Sequence, residues 1–240
     1  MAHVLIPTDL SNNALNAAVY AVNLFGAEGN RFTVLHTYFA PPPGEGSIGD
    51  QLQAELYKVS EAGMAQFMTR LTDAVPDQEP EFRSITEFGN LAAVLSLAEE
   101  SPDAPDLVVM GTQGASGLDR ILLGSNTASA IQRLRTPVLA IPEQARYQPP
   151  KRIVLADDGG HVDKTTLKLL LDIARWSHAE VKIVHVVPEG TSPEEDLNGS
   201  GYNVLLGAIP HSFHSVSGDN VIVALQIGRA SCRERVFSSV

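Results

Sequence analysis

Short, continuously apolar runs alternate with longer segments of helical spacing along residues 1–141, and this alternation constrains the fold more than any other feature. The run Val4–Ile6 is typical of a strand buried on both faces. Ser11 then begins a helical pattern that stops at Gly26. Strand and helix keep alternating up to a closing strand at Pro137–Ile141. Because parallel strands need long crossover connections, the order β-α-β-α-β-α-β-α-β predicts an α/β fold with a five-stranded parallel sheet.

The second half of the chain repeats the beginning of the first half. Two segments recur at an offset of about 148 residues, His3–Asp9 as Arg152–Asp157 and Phe32–His36 as Val181–His185. The turn at Gly218 also resembles the turn at Gly89, but too few residues follow it to form the remaining strand, loop, helix and strand. We therefore predict a complete domain at residues 1–145 and an incomplete copy of it at residues 150–226.

Residues 227–240 break the apolar periodicity that precedes them and resemble read-through from a cloning vector. We interpret them as a vector-derived tail and leave them out of the fold prediction. The single cysteine, Cys232, lies in this segment, so the sequence allows no disulfide within the chain.

The composition favours a cytoplasmic protein without nucleic acid or membrane partners. The net charge is −11, and binding to nucleic acid or to anionic lipid needs a basic surface. No run approaches the roughly 18 apolar residues of a membrane helix, and Met1 leads into the first strand without a basic leader.

The segment Gly111–Ser125, which we call the glycine loop, joins a buried strand to the start of a helix. Open parallel sheets bind ligands at the carboxyl ends of their strands, where this loop is expected to lie. Glycines let backbone N–H groups approach an anion closely, and a helix N-terminus attracts negative charge. The loop is therefore a candidate phosphate site.

The spacing of the glycines separates this loop from other nucleotide loops. No Gly-Lys-Ser/Thr ends it, as in a P-loop, and its first three glycines do not follow G-x-G-x-x-G. They follow G-x2-G-x9-G-[S/T], with Gly111, Gly114, Gly124 and Ser125 as the defining positions. This pattern closely resembles the ATP-binding signature of the universal stress protein family.

The resemblance covers essentially residues 1–143 and, more weakly, residues 151–226. It implies a Rossmann-like fold of the adenine nucleotide α-hydrolase type, a tandem arrangement with a truncated second domain, and binding of ATP with Mg²⁺. It also implies site residues in three groups: Pro7, Thr8, Asp9 and Thr37 around adenine and ribose; Met110 and Gly111 as the floor; and Gly114, Gly124, Ser125, Asn126 and Thr127 at the phosphates. The second copy keeps Asp157 without a glycine loop, so we expect it not to bind ATP.

Several of these residues also have simpler interpretations. Asp9 has the residue type that caps a helix or stabilises a turn, and this role is compatible with ligand binding. We assign His36 and its counterpart His185 to packing or hydrogen bonding, and we predict no metal ligands from the protein itself. The lone Trp176 is predicted to pack between helix and sheet.

The favoured function is an ATP-binding, cytoplasmic stress-response regulator or sensor that forms a homodimer and acts on an unknown partner protein. The sequence has a phosphate loop without an evident general base or dedicated Mg²⁺ carboxylate, which efficient phosphoryl transfer usually requires. One alternative is a slow ATPase or autophosphorylating enzyme in which Asp9 organises Mg²⁺ and Ser125 or Thr127 contacts or receives phosphate. Another is a nucleotide-free dimerisation module that pairs through the closing strand at residues 137–141.

Overall fold

A computed structural model describes residues 2–39, 47–112, 124–157, 164–187 and 201–217. The chain divides into two compact units, Met1–Tyr147 and Gln148–Val240. Among the described residues, no helix has both the length and the apolar character needed to cross a membrane.

The first unit has the predicted order of strands and helices. Its elements are β1 (His3–Thr8), α1 (Asn12–Phe25), β2 (Arg31–Tyr38), α2 (Ser47–Ala74), β3 (Glu81–Phe88), α3 (Leu91–Glu99), β4 (Leu107–Gly111), α4 (Ser125–Arg133) and β5 (Val138–Ile141). All neighbouring strands pair in parallel, in the order β3-β2-β1-β4-β5. The α/β prediction with a five-stranded parallel sheet is therefore confirmed. The chain adds strands outward from β1 in one direction and then returns to place β4 on its other side, so β1 and β4 flank the topological switch point.

The centre of this sheet is buried on both faces, as continuous apolar runs require. Val4 and Ile6 of β1 and Val109 of β4 are fully buried. Helix α1 packs on the sheet through small side chains, including Ala18 and Ala21. Small residues allow the axis of the helix to approach the sheet closely.

Capping residues set the ends of the helices that surround the switch point. The Ser11 hydroxyl caps α1 by accepting a hydrogen bond from the Ala14 N–H at 3.2 Å. Gly26 ends the same helix with a φ of 71°, in the left-handed region that favours glycine. Asn90 caps α3 in the same way as Ser11, through the N–H of Ala92.

The second unit contains a smaller parallel sheet. Its elements are β6 (Arg152–Asp157), α5 (Lys164–Ser177), β7 (Glu180–Val187), α6 (Tyr202–Leu206) and β8 (His211–Ser217). The strand order is β6-β7-β8, and the pairing of Arg152 with Glu180 reproduces the register of His3 with Arg31. This is the arrangement of β1, β2 and β3 in the first unit. The predicted turn at Gly218 and the tail at 227–240 lie outside the described residues.

The prediction for Trp176 is wrong, because the structure leaves this residue 55% exposed. Helix α5 faces the sheet with Leu167, Leu171 and Ala174. Trp176 lies two residues beyond Ala174, or about 200° around the helix, and therefore points away from that apolar stripe.

Candidate functional site

A cavity of about 360 Å³ opens at the carboxyl ends of β1, β2 and β4. We call it the switch-point cavity. Its lining residues are Pro7, Thr8, Asp9, Ala14, His36, Thr37, Leu91, Met110, Gly111, Gly124, Ser125, Asn126 and Thr127. Every site residue implied by the sequence lines this cavity except Gly114, which lies outside the described residues.

The turn between β1 and α1 forms one wall, and two side chains hold it. The Thr8 hydroxyl accepts a hydrogen bond from the Leu10 N–H at 2.9 Å. Asp9 Oδ1 accepts one from the Ser11 N–H at 3.0 Å. Asp9 therefore stabilises the turn, as one interpretation of the sequence proposed, while its exposed carboxylate also lines the cavity.

Leu10 has a left-handed backbone in this turn, with a φ of 67°. This conformation costs a residue other than glycine about 1 kcal/mol, and surrounding contacts must hold it in place. The Leu10 side chain lies against Gly63 of α2, where an added Cβ would be only 2.7 Å from Leu10 Cδ1. The glycine in the middle of α2 thus provides the space that this strained turn requires.

His36 closes the wall at the end of β2. Its Nδ1 lies 2.9 Å from the carbonyl oxygen of Thr8. The sequence predicts packing or hydrogen bonding for His36, and the structure shows the hydrogen bond. Three residues of the cavity lining, His36, Ala14 and Leu91, are not among the site residues predicted from the sequence. Their positions in the sequence could have identified them as cavity residues, because each lies at a strand end or near the beginning of the helix that follows a strand.

The N-terminus of α4 lines the cavity with Gly124, Ser125 and Asn126. Gly124 is the N-cap residue and provides no side-chain hydrogen bond to the helix. By contrast, Ser11 and Asn90 cap α1 and α3 through their side chains. A helix of nine residues with an uncapped first turn leaves N–H donors and a partial positive charge available to an anion.

Thr127 is held differently from the other residues predicted at the phosphates. Thr127 is only 3% exposed, and its hydroxyl donates a hydrogen bond to the Gly111 carbonyl oxygen at 2.8 Å. Ser125 and Asn126 at the start of the same helix are exposed. The cavity therefore combines accessible groups at 125 and 126 with a buried hydroxyl at 127.

The sequence model of the universal stress protein family matches residues 1–142. The chain belongs to the universal stress protein family. It is 34% identical over 152 residues to universal stress protein MJ0531 of Methanocaldococcus jannaschii, an alignment that covers 58% of this chain and 80% of that protein.

Two solved universal stress proteins have the same fold. The protein from Archaeoglobus fulgidus DSM 4304 superposes with a TM-score of 0.72 at 19% identity. The superposition covers 95% of this chain and 83% of that protein. UspA from Lactobacillus plantarum superposes with a TM-score of 0.50 at 22% identity, and the superposition covers 58% of this chain and 97% of UspA. At these identities the likeness establishes the fold and leaves the ligand to be argued from the site.

The charges around the cavity are unusual for a site that would accept an anion. Its described lining contains one carboxylate, Asp9, and neither lysine nor arginine. Within the described ranges, no group of three or more His, Cys, Asp or Glu side chains is placed to hold a metal ion. In the described part of the lining, the groups that can donate hydrogen bonds to an anion are backbone N–H groups and uncharged side chains.

His211 and His214 of the second unit make hydrogen bonds with neighbouring groups. His211 Nε2 lies 2.8 Å from Asn203 Oδ1, and its Nδ1 lies 2.8 Å from the Ile209 carbonyl oxygen. His214 Nε2 lies 3.0 Å from the Ser212 hydroxyl. These contacts tie β8 to the segment around α6 and to its own strand, which is a structural use of both rings.

Proposed function

We propose that this universal stress protein binds ATP together with Mg²⁺ in the switch-point cavity and acts as a cytoplasmic stress-response regulator. One observation carries the proposal. The β1 turn and the end of the glycine loop at Gly124 and Ser125 are far apart in the sequence, yet both line one cavity beside the uncapped N-terminus of α4. This is the position at which open α/β sheets bind nucleotides.

The dimensions and chemistry of the cavity support a nucleotide. Its volume of about 360 Å³ lies within the usual range of ligand pockets, about 300–1,000 Å³. Apolar contacts from Pro7, Leu91 and Met110 suit a flat base, and the polar groups of Thr37 suit its edge. The N–H groups at Ser125 and Asn126 suit the phosphates.

Mg²⁺ has a specific role in this proposal. A triphosphate brings several negative charges to a lining whose described part includes the Asp9 carboxylate and no lysine or arginine. A divalent cation offsets this repulsion, and Asp9 is positioned to contact its water ligands. Omitting Mg²⁺ is therefore expected to weaken ATP binding more than AMP binding.

A regulatory role fits the site better than rapid hydrolysis. The described lining contains one carboxylate and one imidazole, and the Asp9 carboxylate already accepts a hydrogen bond within its turn. Phosphoryl transfer is fast where cations and a water-positioning group surround the γ-phosphate. We propose that the bound state is read by a partner protein, with slow hydrolysis as the enzymatic alternative.

The second unit and the assembly complete the proposal. We propose that residues 1–145 form the ATP-binding domain and that residues 150–226 form an incomplete second copy without a site of its own. We also propose that the protein forms a homodimer. The strand β5 supports this proposal, because it occupies the edge of the five-stranded sheet in the described structure. An apolar edge strand is suited to pairing with its twin. Unchanged dimerisation in protein that binds no nucleotide would favour the dimerisation module.

A thermal-shift series with ATP, ADP, AMP and NAD, each with and without Mg²⁺, tests the proposal. A ligand at 100 times its Kd adds about 2.7 kcal/mol to the free energy of unfolding, which raises the Tm measurably. Stabilisation by ATP with Mg²⁺ that exceeds stabilisation by NAD is expected. No shift with any nucleotide, in folded protein freed of retained ligand, would contradict it.

A further inference from the structure

Two hydrogen bonds tie together the two ends of the glycine loop, and a third joins one end to β5. We call Gly111, Thr112, Gly124 and Thr127 the loop stem. The Gly124 N–H donates to the Thr112 carbonyl oxygen at 2.5 Å, and the Thr127 hydroxyl donates to the Gly111 carbonyl oxygen at 2.8 Å. The Thr112 N–H donates to Ile141 of β5 at 2.9 Å. Hydrogen bonds therefore anchor the loop stem to the sheet.

The hydrogen bond of Thr127 is a tertiary contact. A threonine inside a helix usually bonds to a carbonyl three or four residues earlier in the same helix. The partner of Thr127 lies sixteen residues away, at the end of β4. The hydroxyl thus connects the first turn of α4 to the strand from which the glycine loop departs.

The chemistry of a hydroxyl limits what else Thr127 can do. A hydroxyl has one proton to donate, and both a carbonyl oxygen and a phosphate oxygen only accept. While the Thr127 hydroxyl donates to the Gly111 carbonyl oxygen, it has no second proton to donate to a phosphate. The 3% exposure of Thr127 agrees with this role.

Asn13 of α1 supports Gly111 at very close range. A Cβ added at Gly111 would lie 2.5 Å from Asn13 Nδ2 and 2.8 Å from its Cγ. Asn13 is 5% exposed, so it has little room to move away. The backbone at Gly111 is therefore held by Asn13 against its Cα and by Thr127 on its carbonyl oxygen.

We infer that Thr127 is a positioning residue that fixes the loop stem and does not itself contact the phosphates. The inference rests on the proposed nucleotide site for its functional consequence. The structural role of Thr127 in the ligand-free loop stem does not depend on whether the cavity binds a nucleotide. It changes the role that the family resemblance implies for Thr127 from ligand to support.

Amide hydrogen exchange in the ligand-free protein is the first test. Thr127→Val keeps the shape of the side chain but removes the donor, and Thr127→Ser keeps the donor. We expect the Gly124 N–H to exchange about tenfold faster in Thr127→Val and within about threefold of the wild type in Thr127→Ser. Exchange in Thr127→Val equal to that of the wild type would overturn the inference.

The second test compares ligands and separates the inference from the proposed function. Titration calorimetry should show weaker Mg·ATP binding by Thr127→Val, about tenfold, with Thr127→Ser close to the wild type. Loss of ATP affinity without faster exchange in the ligand-free variant would identify Thr127 as a direct phosphate ligand and overturn the inference. Wild-type protein that binds no nucleotide would contradict the proposed function, and the exchange experiment would still decide the role of Thr127 in the stem.

A crystal structure of the wild-type protein with Mg·ATP covers the case in which Thr127→Val does not fold. The Thr127 hydroxyl should remain within hydrogen-bond distance of the Gly111 carbonyl oxygen, with phosphate oxygens contacting groups at Ser125 and Asn126. A phosphate oxygen within about 3 Å of the Thr127 hydroxyl, with its bond to Gly111 broken, would contradict the inference.

Discussion

The Nδ1 atom of His36 lies 2.9 Å from the carbonyl oxygen of Thr8, which joins the carboxyl ends of β2 and β1 beside the switch-point cavity. A carbonyl oxygen only accepts hydrogen bonds, so Nδ1 carries the proton in this contact. In the neutral ring Nε2 is then an acceptor, which defines the polarity that His36 offers at the cavity wall.

Replacing His36 tests this contact. His36→Leu removes the donor and should lower the free energy of unfolding by about 1 kcal/mol, the net value of a typical hydrogen bond. In His36→Asn the amide nitrogen occupies nearly the position of Nδ1, so this variant should recover part of the loss. Urea unfolding of the three proteins makes the comparison, and equal losses in both variants would show that the hydrogen bond contributes little.

The close approach of Asn13 to Gly111 predicts a strong coupling between the two positions. Gly111→Ala alone forces a Cβ into the Asn13 side chain and should destabilise the protein by about 1–3 kcal/mol. Asn13→Ala removes the atoms that would clash. The double variant should therefore be more stable than the sum of the two single losses predicts, by at least about 1 kcal/mol. Additive losses in chemical denaturation would show that Gly111 tolerates a Cβ by other means.

The cap of α1 gives a prediction about the β1 turn. Ser11→Ala removes the acceptor for the Ala14 N–H and should cost about 1 kcal/mol of stability. Ser11→Asp restores a capping oxygen and is the matched control. Both substitutions preserve the Ser11 N–H that Asp9 accepts from, so the turn itself should persist. Thermal unfolding distinguishes the variants, and a Ser11→Asp protein as unstable as Ser11→Ala would contradict the capping role.

The ion pair between Arg31 and Asp103 predicts a stability difference that depends on pH. The hydrogen bond from the Arg31 guanidinium lowers the pKa of the Asp103 carboxyl below its ordinary value, with smaller contributions from His3 and Arg83. A carboxyl whose pKa is lowered by folding stabilises the native state at pH values above its unfolded pKa. That stabilisation is lost as the pH falls through the folded pKa.

The wild type should therefore exceed Asp103→Asn in unfolding free energy at neutral pH, and the difference should disappear in acid. Because Asp103 is half exposed, added salt should also reduce the difference at neutral pH. Urea unfolding at neutral and acidic pH measures both effects. A difference that is constant over the whole pH range would show that the carboxylate charge is not responsible.

Much of the fold was predictable because periodicity reports burial. Val4–Ile6 reads as a buried strand, the helical pattern from Ser11 to Gly26 gives α1, and the parallel sheet follows from the alternation. The register of the strands and the face that each helix buries depend on packing against other segments, so the sequence of one segment does not determine them. The exposed Trp176 illustrates this, since its large apolar ring predicted burial, while the stripe of α5 placed it on the outer face.

The candidate site was predictable where a motif marks it and unpredictable where only tertiary contacts do. Gly124 and Ser125 belong to a spaced pattern, and the structure brings them beside Asp9. The left-handed Leu10 and the contact of Asn13 with Gly111 have no local signature, because each exists only once α1 and α2 pack on the sheet. The residues that hold the cavity walls in place were thus not predictable from the sequence.

Titration calorimetry with Mg·ATP on the wild type, Gly124→Asp and Gly124→Asn tests the central claim most directly. Both substitutions add a side chain that can cap α4, but only aspartate adds a negative charge where the phosphates are expected. We predict binding by the wild type, weaker binding by Gly124→Asn and the largest loss in Gly124→Asp, with all three proteins folded. Equal affinity in Gly124→Asp and the wild type, or no binding by the folded wild type, would contradict a phosphate site at the N-terminus of α4.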